Sequence, residues 1–501
     1  MSPQPDRGPS PIAEIALKEA NIGVNRLWGH FDEFTRIPRK TGNEAAMREH
    51  ILAWADEHQL ATEVDQRGNL LITVPATLNY EATPGIILQG HMDMVCVGEP
   101  DPAQVGVTPV LSADGQWLQA INTTLGADNG IGVATIMSIA EGKIVHGPLA
   151  LMLTVNEEVG IAGALAMDFK NPLENFQYLL NLDSEEEGEA TISSAGGGDT
   201  LINLPLQTEP VGDRQILTLS LEGLIGGHSG IEIGEDRLNA IKAIGSVLND
   251  LSAEIPGLGL VDMDFGYARN VIPSKGKVTI AVPAEAAEKI ADLIAQSREK
   301  VLGESIHDEE QALQINVVDT DKHPDQVMTQ DTTINVIRLL SELPHGVAYW
   351  SGDVEGLVQT STNLAIAKTE GSELKIQMMT RSSVDAELAA LRGIIEQSAS
   401  DLGAQVKQLP PYPGWPARPD SSINKLAAKE WQAISGEALK IIAVHAGLEC
   451  GAIMGKYPDL EAISIGPAIK GAHSVDEKVN IASVGKFYQL VENIIKAVTS
   501  Q

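Results

Sequence analysis

The chain has too few cysteines to be built around disulfide bonds. Cys96 and Cys450 are the only two in 501 residues. Two thiols cannot form a disulfide framework for so long a chain, and we expect both to be small buried hydrophobic residues. Because free thiols persist in a reducing compartment, we also expect a cytoplasmic location.

Positive charge is also scarce. The sequence has 35 lysine and arginine residues against 68 aspartate and glutamate residues, which gives a formal net charge of -33. Nucleic acids and anionic membranes bind basic surfaces, so we expect neither as a partner. We interpret the acidic surface as a trait of solubility or salt adaptation rather than as evidence about a substrate.

Long hydrophobic runs are absent. The apolar run from Pro148 to Val155 is far too short to span a bilayer. The first eleven residues contain no apolar segment of the kind that a signal peptide needs, and we expect residues 1–20 to form a flexible tail of a soluble protein. With 43% hydrophobic residues, the chain is long enough for a large core and two to four domains.

Strand-like and helix-like segments alternate on both sides of a long insertion. The strand-like runs cover residues 69–74, 85–88, 149–155 and 178–182, and helical periodicity covers residues 25–59 and 130–140. This alternation predicts an α/β domain with a largely parallel sheet. We expect its first part over residues 21–205 and its second part over residues 414–501.

The insertion, residues 206–413, has a different pattern. Strand, helix, two strands, helix and strand follow one another, and this order roughly recurs once. The recurrence predicts an α+β domain made of two β-α-β-β-α-β units.

Five short polar segments stand out, most of them directly after an apolar run. They are Gly90-His91-Met92-Asp93, Gly126-Ala127-Asp128-Asn129-Gly130, Asn156-Glu157-Glu158-Val159-Gly160, Asn181-Leu182-Asp183-Ser184 and Gly471-Ala472-His473-Ser474. Open α/β sheets bind ligands beyond the carboxyl ends of their strands. Two imidazoles with several carboxylates are the ligand mix that borderline-soft divalent metals prefer. The segments therefore predict a metal site, and a spare carboxylate beside a ligand is what a metal hydrolase needs as general base.

Each segment also has an ordinary explanation. Residues two apart in a strand point the same way, so Asp93 can orient His91 for a metal, or the pair can be a plain surface histidine beside an aspartate. Asp128 lies in a glycine-containing turn that can need aspartate for its backbone alone. The adjacent carboxylates of Glu157 and Glu158 repel each other, and no helix face or cap explains them. Together the five segments favour the metal site.

The insertion contributes further candidates. His228 lies between glycines in Ile225-Gly226-Gly227-His228-Ser229-Gly230, where it is either an oxyanion donor or a histidine of an ordinary turn. Asn270, Asn363 and Arg381 are candidates for holding a substrate carboxylate. The planar fork of Arg381 suits a carboxylate, although a solvated arginine at a strand end is the alternative.

Together these motifs resemble those of the co-catalytic zinc metallopeptidases, the family that includes carnosinase, aminoacylase and glutamate carboxypeptidase. Besides the segments around His91 and Glu157, the run His445-Ala446-Gly447-Leu448-Glu449-Cys450-Gly451 carries the resemblance, which covers nearly all of the chain after the first twenty residues. It implies a phosphorylase/hydrolase-like catalytic domain, interrupted by a lid of two β-α-β-β-α-β units through which a homodimer forms.

The resemblance also implies roles for single residues. Asp128 would bridge two divalent ions, expected to be zinc with manganese or cobalt as alternatives. The remaining ligands would be His91 and Asp183 for one ion, and Glu158 and His473 for the other. Glu157 would be the general base, Asp93 would orient His91, and His228 would stabilise the oxyanion. Asn270, Asn363 and Arg381 would bind the substrate.

The expected reaction is hydrolysis of short peptides with a free amine and a free carboxylate, including Xaa-His dipeptides such as carnosine. An N-acyl-amino-acid amidohydrolase on the same scaffold is the alternative enzyme. A non-catalytic metal-binding assembly protein would need a broken set of ligands, whereas each expected ligand and the expected base are present.

Overall fold

The computed structural model describes residues 10–170, 173, 175–318, 324–352 and 354–500. The α-helices are α1 (Pro11–Lys18), α2 (Ile22–Phe34), α3 (Ala45–Glu57), α4 (Pro102–Val105), α5 (Ala127–Ala140), α6 (Ala162–Ala166), α7 (Ala240–Glu254), α8 (Ile290–Leu302), α9 (Gln330–Glu342), α10 (Asp385–Asp401), α11 (Ser422–Ser435), α12 (Glu449–Lys456) and α13 (Ile481–Thr499). Short 3-10 helices cover Ile233–Glu235, Ala284–Lys289 and Asp308–Ala312.

The strands of the first half are β1 (Ala61–Val64), β2 (Leu70–Val74), β3 (Gly85–His91), β4 (Pro109–Leu111), β5 (Trp117–Ala120), β6 (Leu149–Thr154), β7 (Phe176–Asn181), β8 (Glu189–Ser194), β9 (Gly196–Pro205), β10 (Thr208–Pro210), β11 (Gln215–Glu222) and β12 (Gly227–His228). Those of the second half are β13 (Gly259–Phe265), β14 (Val271–Ile272), β15 (Gly276–Val282), β16 (Gln314–Val318), β17 (Gln326–Met328), β18 (Gly346–Trp350), β19 (Val358–Glu370), β20 (Glu373–Ser382), β21 (Gln405–Gln408), β22 (Lys440–Val444), β23 (Glu461–Ser464), β24 (Ile469–Lys470) and β25 (Lys478–Asn480).

The chain divides into two compact units. Unit 1 comprises Met1–Ser194, Ala417–Ala443 and Gly447–Gln501, and unit 2 comprises Ala195–Pro416 and Val444–Ala446. The insertion that we predicted over residues 206–413 thus begins earlier, with β9, which we had placed in the domain over residues 21–205. The reason is that β9 pairs along its whole length with β20 of the insertion.

Unit 1 is built on an eight-stranded sheet with the order β1-β2-β6-β3-β7-β23-β8-β22. The central strands β6, β3, β7 and β23 run parallel, whereas β1, β2 and β8 join antiparallel at the sides. The predicted α/β architecture is confirmed, with the parallel pairing concentrated at the centre of the sheet. Every residue of β3 and β6 is buried, because helices such as α5 pack on these strands.

Helix α1 corrects part of the predicted flexible tail. Residues 1–9 lie outside the described residues, but Ser10 caps a helix whose Ile12 and Ile15 are buried in the core of unit 1. This helix packs on α2. The proline-rich start of the sequence hid it, although proline is favoured in the first turn of a helix.

The main sheet of unit 2 is antiparallel in each pairing that the described residues show, with the order β16-β11-β15-β13-β19-β20-β9-β21 and with β18 added beside β19. The sheet has two halves of four strands, and the strands of each half are numbered 1 to 4 along the chain. Read inward from its outer edge, the half of β16, β11, β15 and β13 has the order 4-1-3-2. The half of β21, β9, β20 and β19, read inward from its own outer edge, has the same order. The two halves meet where β13 pairs with β19.

The predicted duplication is therefore present, but it is nested. The second β-α-β-β-α-β unit begins at β9, and the whole first unit is inserted between β9 and α9. The strand-like run at residues 347–349, which we had counted within the repeat, is the extra strand β18.

The structure also bears on the two cysteines and on the expected absence of a membrane-spanning segment. Cys450 is fully buried as expected, whereas Cys96 is only half-buried, and both are free thiols. Among the described residues, no helix combines the length and the apolar character that crossing a bilayer requires.

Candidate active site

Four of the predicted site residues lie at the carboxyl ends of neighbouring strands. His91 is the last residue of β3, Glu157 and Glu158 follow β6, and Asp183 follows β7. Because these strands are parallel neighbours, their carboxyl ends meet at one edge of the sheet. The fold thus brings together residues that are far apart in the sequence.

Asp128 lies between two histidines. Its Oδ1 atom is 3.0 Å from Nε2 of His91, and its Oδ2 atom is 3.1 Å from Nε2 of His473. The same His91 nitrogen is 3.3 Å from Oδ1 of Asp183, and the same His473 nitrogen is 2.8 Å from Oε2 of Glu158. One carboxylate is therefore shared by two groups of donor atoms.

The described residues contain three groups whose donor atoms all lie within 4.8 Å of one another. They are His91 with Asp128 and Asp183, Asp128 with Glu158 and His473, and His91 with Glu157 and Glu158. Such separations suit cation coordination. The five residues that we predicted as metal ligands are all members of these groups.

Asp93 is fully buried and contacts both a histidine and a loop. Its Oδ1 atom is 3.5 Å from Nδ1 of His91, and its carboxylate accepts the backbone N–H groups of Glu157 at 3.1 Å and Glu158 at 3.3 Å. Nδ1 of His91 also lies 3.1 Å from the backbone carbonyl of Asp93, so both the carbonyl and the carboxylate of Asp93 face the His91 ring. The carboxylate also fixes the segment after β6, which the sequence did not reveal.

The protonation of the cluster reflects its excess of carboxylates. Burial disfavours the charged form of His91, but Asp183, Asp128 and Asp93 outweigh it and raise the pKa of His91 well above its ordinary value. Hydrogen bonds with Asp128 and Glu158 raise the pKa of His473 to about 11. Burial raises the pKa of Asp183 to about 7. Without added cations, the cluster therefore retains protons to offset its negative charge.

Glu157 has the titration expected of a general base. Burial, and then the nearby carboxylates of Asp183, Glu449 and Glu158, raise its pKa well above the ordinary value of a glutamate. A carboxylate with a raised pKa accepts a proton more readily near neutral pH, which is what general-base catalysis requires.

In unit 2, His228 is held in one tautomer. The backbone N–H groups of Gly230 and Ile231 both donate to its Nδ1 atom at 3.2 Å. Burial, followed by the positive charge of Arg381, lowers the pKa of His228 below its ordinary value. The neutral ring therefore carries its proton on Nε2, from where it can be donated to an oxyanion.

Arg381 is buried in unit 2 without a carboxylate partner among the described residues. Its Nη1 atom donates to the hydroxyl of Tyr412 at 3.1 Å, and its Nε atom has no partner. Burial and Arg381 lower the pKa of His445 to about 3, so that this histidine is neutral as well. A buried guanidinium with unused donors is a ready site for an anionic group.

Asn363 does not fit the role that we predicted for it. Both of its amide hydrogens are used, because Nδ2 donates to the carbonyls of Arg269 at 3.2 Å and Val271 at 2.8 Å. Only its Oδ1 atom lacks a partner, and an acceptor cannot bind a carboxylate. Asn270, in contrast, is exposed, so its side chain remains available to a ligand.

Comparison with known proteins assigns the chain to a family. The model of Peptidase family M20/M25/M40 matches residues 87–497. This chain belongs to that family. Over 489 residues it is 36% identical to the cytosol non-specific dipeptidase of Escherichia coli, which covers 96% of this chain and 99% of that protein.

Solved structures agree with the family. The crystal structure of aminoacylhistidine dipeptidase from Vibrio alginolyticus is 35% identical, with a TM-score of 0.87 over 94% of this chain and 96% of that chain. An aminopeptidase from Bacillus cereus, 17% identical, covers 95% of this chain and 98% of its own with a TM-score of 0.55, and shows the fold alone. The predicted resemblance, the fold class and the prediction of a peptide-hydrolysing enzyme are confirmed.

Two buried charged residues of this M20 peptidase were not predicted. The carboxylate of Glu477 accepts the backbone N–H groups of residues 125–128 at 2.7 to 3.3 Å, so it fixes the turn that carries Asp128. Arg39 donates to the carbonyls of Met92 and Asp93 at 3.1 and 2.9 Å and to that of Gly126. No local pattern marks Glu477, because its partners lie about 350 residues away in the sequence.

A buried polar chain continues behind the strand ends of the peptidase. Glu449 accepts from Gln89 and, at 2.8 Å, from Thr154, and Gln89 in turn accepts from Asn181. Burial raises the pKa of Glu449 to about 7. This chain links the ends of β3, β6 and β7, and it gives a structural reason for the glutamate in the run that carried the resemblance.

Proposed function

We propose that this chain is a two-metal dipeptidase that cleaves short peptides with a free amine and a free carboxylate, Xaa-His dipeptides included. The observation that carries the proposal is the position of Asp128, whose two oxygens face two separate histidines. Among the relatives, the names of the Escherichia coli and Vibrio alginolyticus proteins support a dipeptidase.

The donor set fits two divalent ions. His91 and Asp183 would hold one ion, Glu158 and His473 the other, and Asp128 would bridge them. One buried oxygen of this set, Oε1 of Glu158, accepts no hydrogen bond, which suits a carboxylate that coordinates a cation. A mixed imidazole and carboxylate set suits zinc, with manganese or cobalt as alternatives.

When bound, the two ions supply Lewis acidity, which lowers the pKa of a shared water molecule and polarises the scissile carbonyl. The protein moves the proton. Glu157 accepts it from the attacking water and later delivers it to the leaving amine. Asp93 keeps the His91 ring oriented and holds the backbone of Glu157 at the same time.

Unit 2 would recognise the peptide. His228 would donate a hydrogen bond from its Nε2–H group to the oxyanion, and Arg381 would bind the terminal carboxylate, aided by Asn270. Support comes from the tautomer of His228 and from the unused donors of Arg381. Both residues lie in the same unit of one chain, so a single subunit contains both groups.

We further propose a cytoplasmic enzyme that acts on peptides and forms a homodimer through unit 2. The name of the Escherichia coli relative, a cytosol dipeptidase, supports the location. Sedimentation of the full chain and of a variant with charged substitutions at exposed Tyr349 and Trp350 would test the dimer.

The test of the function compares two substrates on zinc-reconstituted protein. We expect release of free histidine from β-alanyl-histidine but not from an N-acetylated Xaa-His peptide. Cleavage of only the blocked peptide would identify an amidohydrolase instead. Cleavage of neither peptide would contradict the proposed dipeptidase.

A further inference from the structure

Unit 2 contains a buried polar group that the proposed chemistry does not use. Asp199 in β9 is 7% exposed, and Asn363 in β19 is 1% exposed. Each of them pairs directly with Met379 of β20, which lies between the two strands. Directly paired residues of antiparallel strands point to the same face, so Asp199 and Asn363 flank β20 on one face of the sheet.

Arg269 connects these two residues across β20. Its Nη1 atom donates to Oδ2 of Asp199 at 2.6 Å, and its carbonyl oxygen accepts from Nδ2 of Asn363 at 3.2 Å. The same amide of Asn363 donates to the carbonyl of Val271 at 2.8 Å. We call Asp199, Arg269 and Asn363 the Arg269 clamp.

The segment held by the clamp carries His228. Val271 pairs with His228 in the two-stranded sheet of β12 and β14, and the N–H group of Ser229 donates to the carbonyl of Asn270 at 2.8 Å. His228 is therefore attached to the main sheet through residues 269–271.

Arg381 lies on the strand that the clamp crosses. It is two residues beyond Met379 in β20 and points to the same face, because side chains alternate along a strand. The clamp thus joins the part of unit 2 that carries His228 to the strand that carries Arg381.

We propose that the three residues of the Arg269 clamp are positioning residues that fix the spacing between His228 and Arg381 and thereby select dipeptides over longer peptides, an inference that rests on the proposed function. In a dipeptide one residue separates the scissile carbonyl from the terminal carboxylate. A tripeptide cleaved at its first bond adds a further residue, about 3.5 Å of extended chain. If His228 and Arg381 are held at a fixed separation, they can bind the oxyanion and the terminal carboxylate of a dipeptide or of a tripeptide, but not of both.

The ion pair between Asp199 and Arg269 is the part of the clamp that a substitution can break selectively. Asp199 is buried, so the loss of Arg269 leaves a buried carboxylate without its cation. Arg269 itself is half exposed, and its replacement should leave the core of unit 2 intact. Substitution of Arg269 therefore breaks the ion pair without altering the side chain of His228 or Arg381.

The experiment uses the full-length, zinc-loaded chain with Asp199→Asn and Arg269→Met, singly and together. The control is Asp264→Asn, whose carboxylate pairs with Lys368 at 2.9 Å in the same sheet. The readouts are kcat/KM for alanyl-histidine and for alanyl-alanyl-histidine, and hydrogen exchange of the Ser229 and Val271 amides.

We expect each single variant to lose about tenfold or more in kcat/KM on the dipeptide but much less on the tripeptide, since misplacement by about 1 Å can cost about a hundredfold. The double variant should lose no more than the worse single variant, because both changes break one interaction. Faster exchange of both amides should accompany these losses, and the control should match the wild type.

Three results would overturn the inference: equal losses on both peptides, additive losses in the double variant, or unchanged exchange of the two amides. If the wild-type protein cleaves no dipeptide, the proposed function fails. Unchanged amide exchange in Asp199→Asn would still refute the clamp in that case, so the two failures are distinguishable.

Discussion

At the scale of the residue, a single substitution tests the proposed role of Glu157 as a base that is not a metal ligand. Its raised pKa suits a base, and its backbone rather than its side chain holds the local fold through Asp93. Glu157→Gln keeps the shape and removes the basic group. We expect turnover to fall by about a hundredfold to ten-thousandfold, the usual contribution of a general base, while the metal content stays unchanged by elemental analysis.

The matched control for this change is Glu187→Gln. Glu187 pairs with Lys486 at 2.6 Å and takes no part in the proposed chemistry, so this variant should keep its activity. Near-normal turnover of Glu157→Gln, or loss of metal from it, would contradict the assignment of Glu157 as a base that is not a ligand.

Three of the predicted ligands share one property. His91, Glu158 and Asp183 follow apolar runs, and parallel strands bring such positions together. Glu477 and Arg39 do not share it, because they hold backbone groups contributed by distant segments. Sequence patterns therefore reveal the residues at strand ends and miss those that hold them in place.

At the scale of the element, the nested duplication was also only partly predictable, because its second unit is formed by strands that are distant in the sequence. Strand β9 begins with Gly196-Gly197-Gly198, and because glycine is disfavoured in strands, the sequence did not predict that β9 belongs to the sheet of the insertion. Each glycine leaves room for a close neighbour: a Cβ at Gly197 would lie 2.5 Å from the Tyr412 hydroxyl, and one at Gly196 would lie 2.5 Å from the backbone nitrogen of Gly414. A Cβ at Gly198 would lie 2.8 Å from the guanidinium of Arg392. Periodicity did predict the helical segments over residues 25–59 and 130–140, where α2, α3 and α5 lie, but it did not predict α1.

The turn that leads into α5 allows a test of positioning. Four consecutive N–H groups of this turn, from Leu125 to Asp128, donate to Glu477. Glu477→Gln removes the charge and one of the two acceptor oxygens, so Asp128 should be less well fixed. We expect metal affinity to fall about tenfold to a hundredfold in a chelator-competition assay, as for other residues that orient ligands.

Its control is Asp476→Asn, the exposed neighbour of Glu477, which should bind metal as the wild type does. Equal affinity of the Glu477→Gln and wild-type proteins would show that the turn holds Asp128 without this carboxylate. A loss of the same size in Asp476→Asn would point to a general effect of charge.

At the scale of the whole molecule, the donor cluster links stability to pH and to metal. In chelated protein the donor cluster binds more protons when folded than when unfolded, because the pKa of Asp183 rises from 3.8 to about 7 and that of His473 from 6.5 to about 11. The stability that these protons provide is complete below the unfolded values. It is lost as pH rises, first through the range of Asp183 and then through that of His473.

Metal ions bound at the proposed site would replace these protons, so the melting temperatures of metal-loaded and chelated protein should diverge with pH. We expect the gap to be larger at pH 9 than at pH 6, and to reach about 3 °C for each ion present at about a hundred times its dissociation constant. Scanning calorimetry with and without a chelator measures it. Asp128→Ala should show no gap at either pH, because the loss of the bridging carboxylate releases both ions together. A gap that is independent of pH, or one that persists in Asp128→Ala, would contradict the shared site.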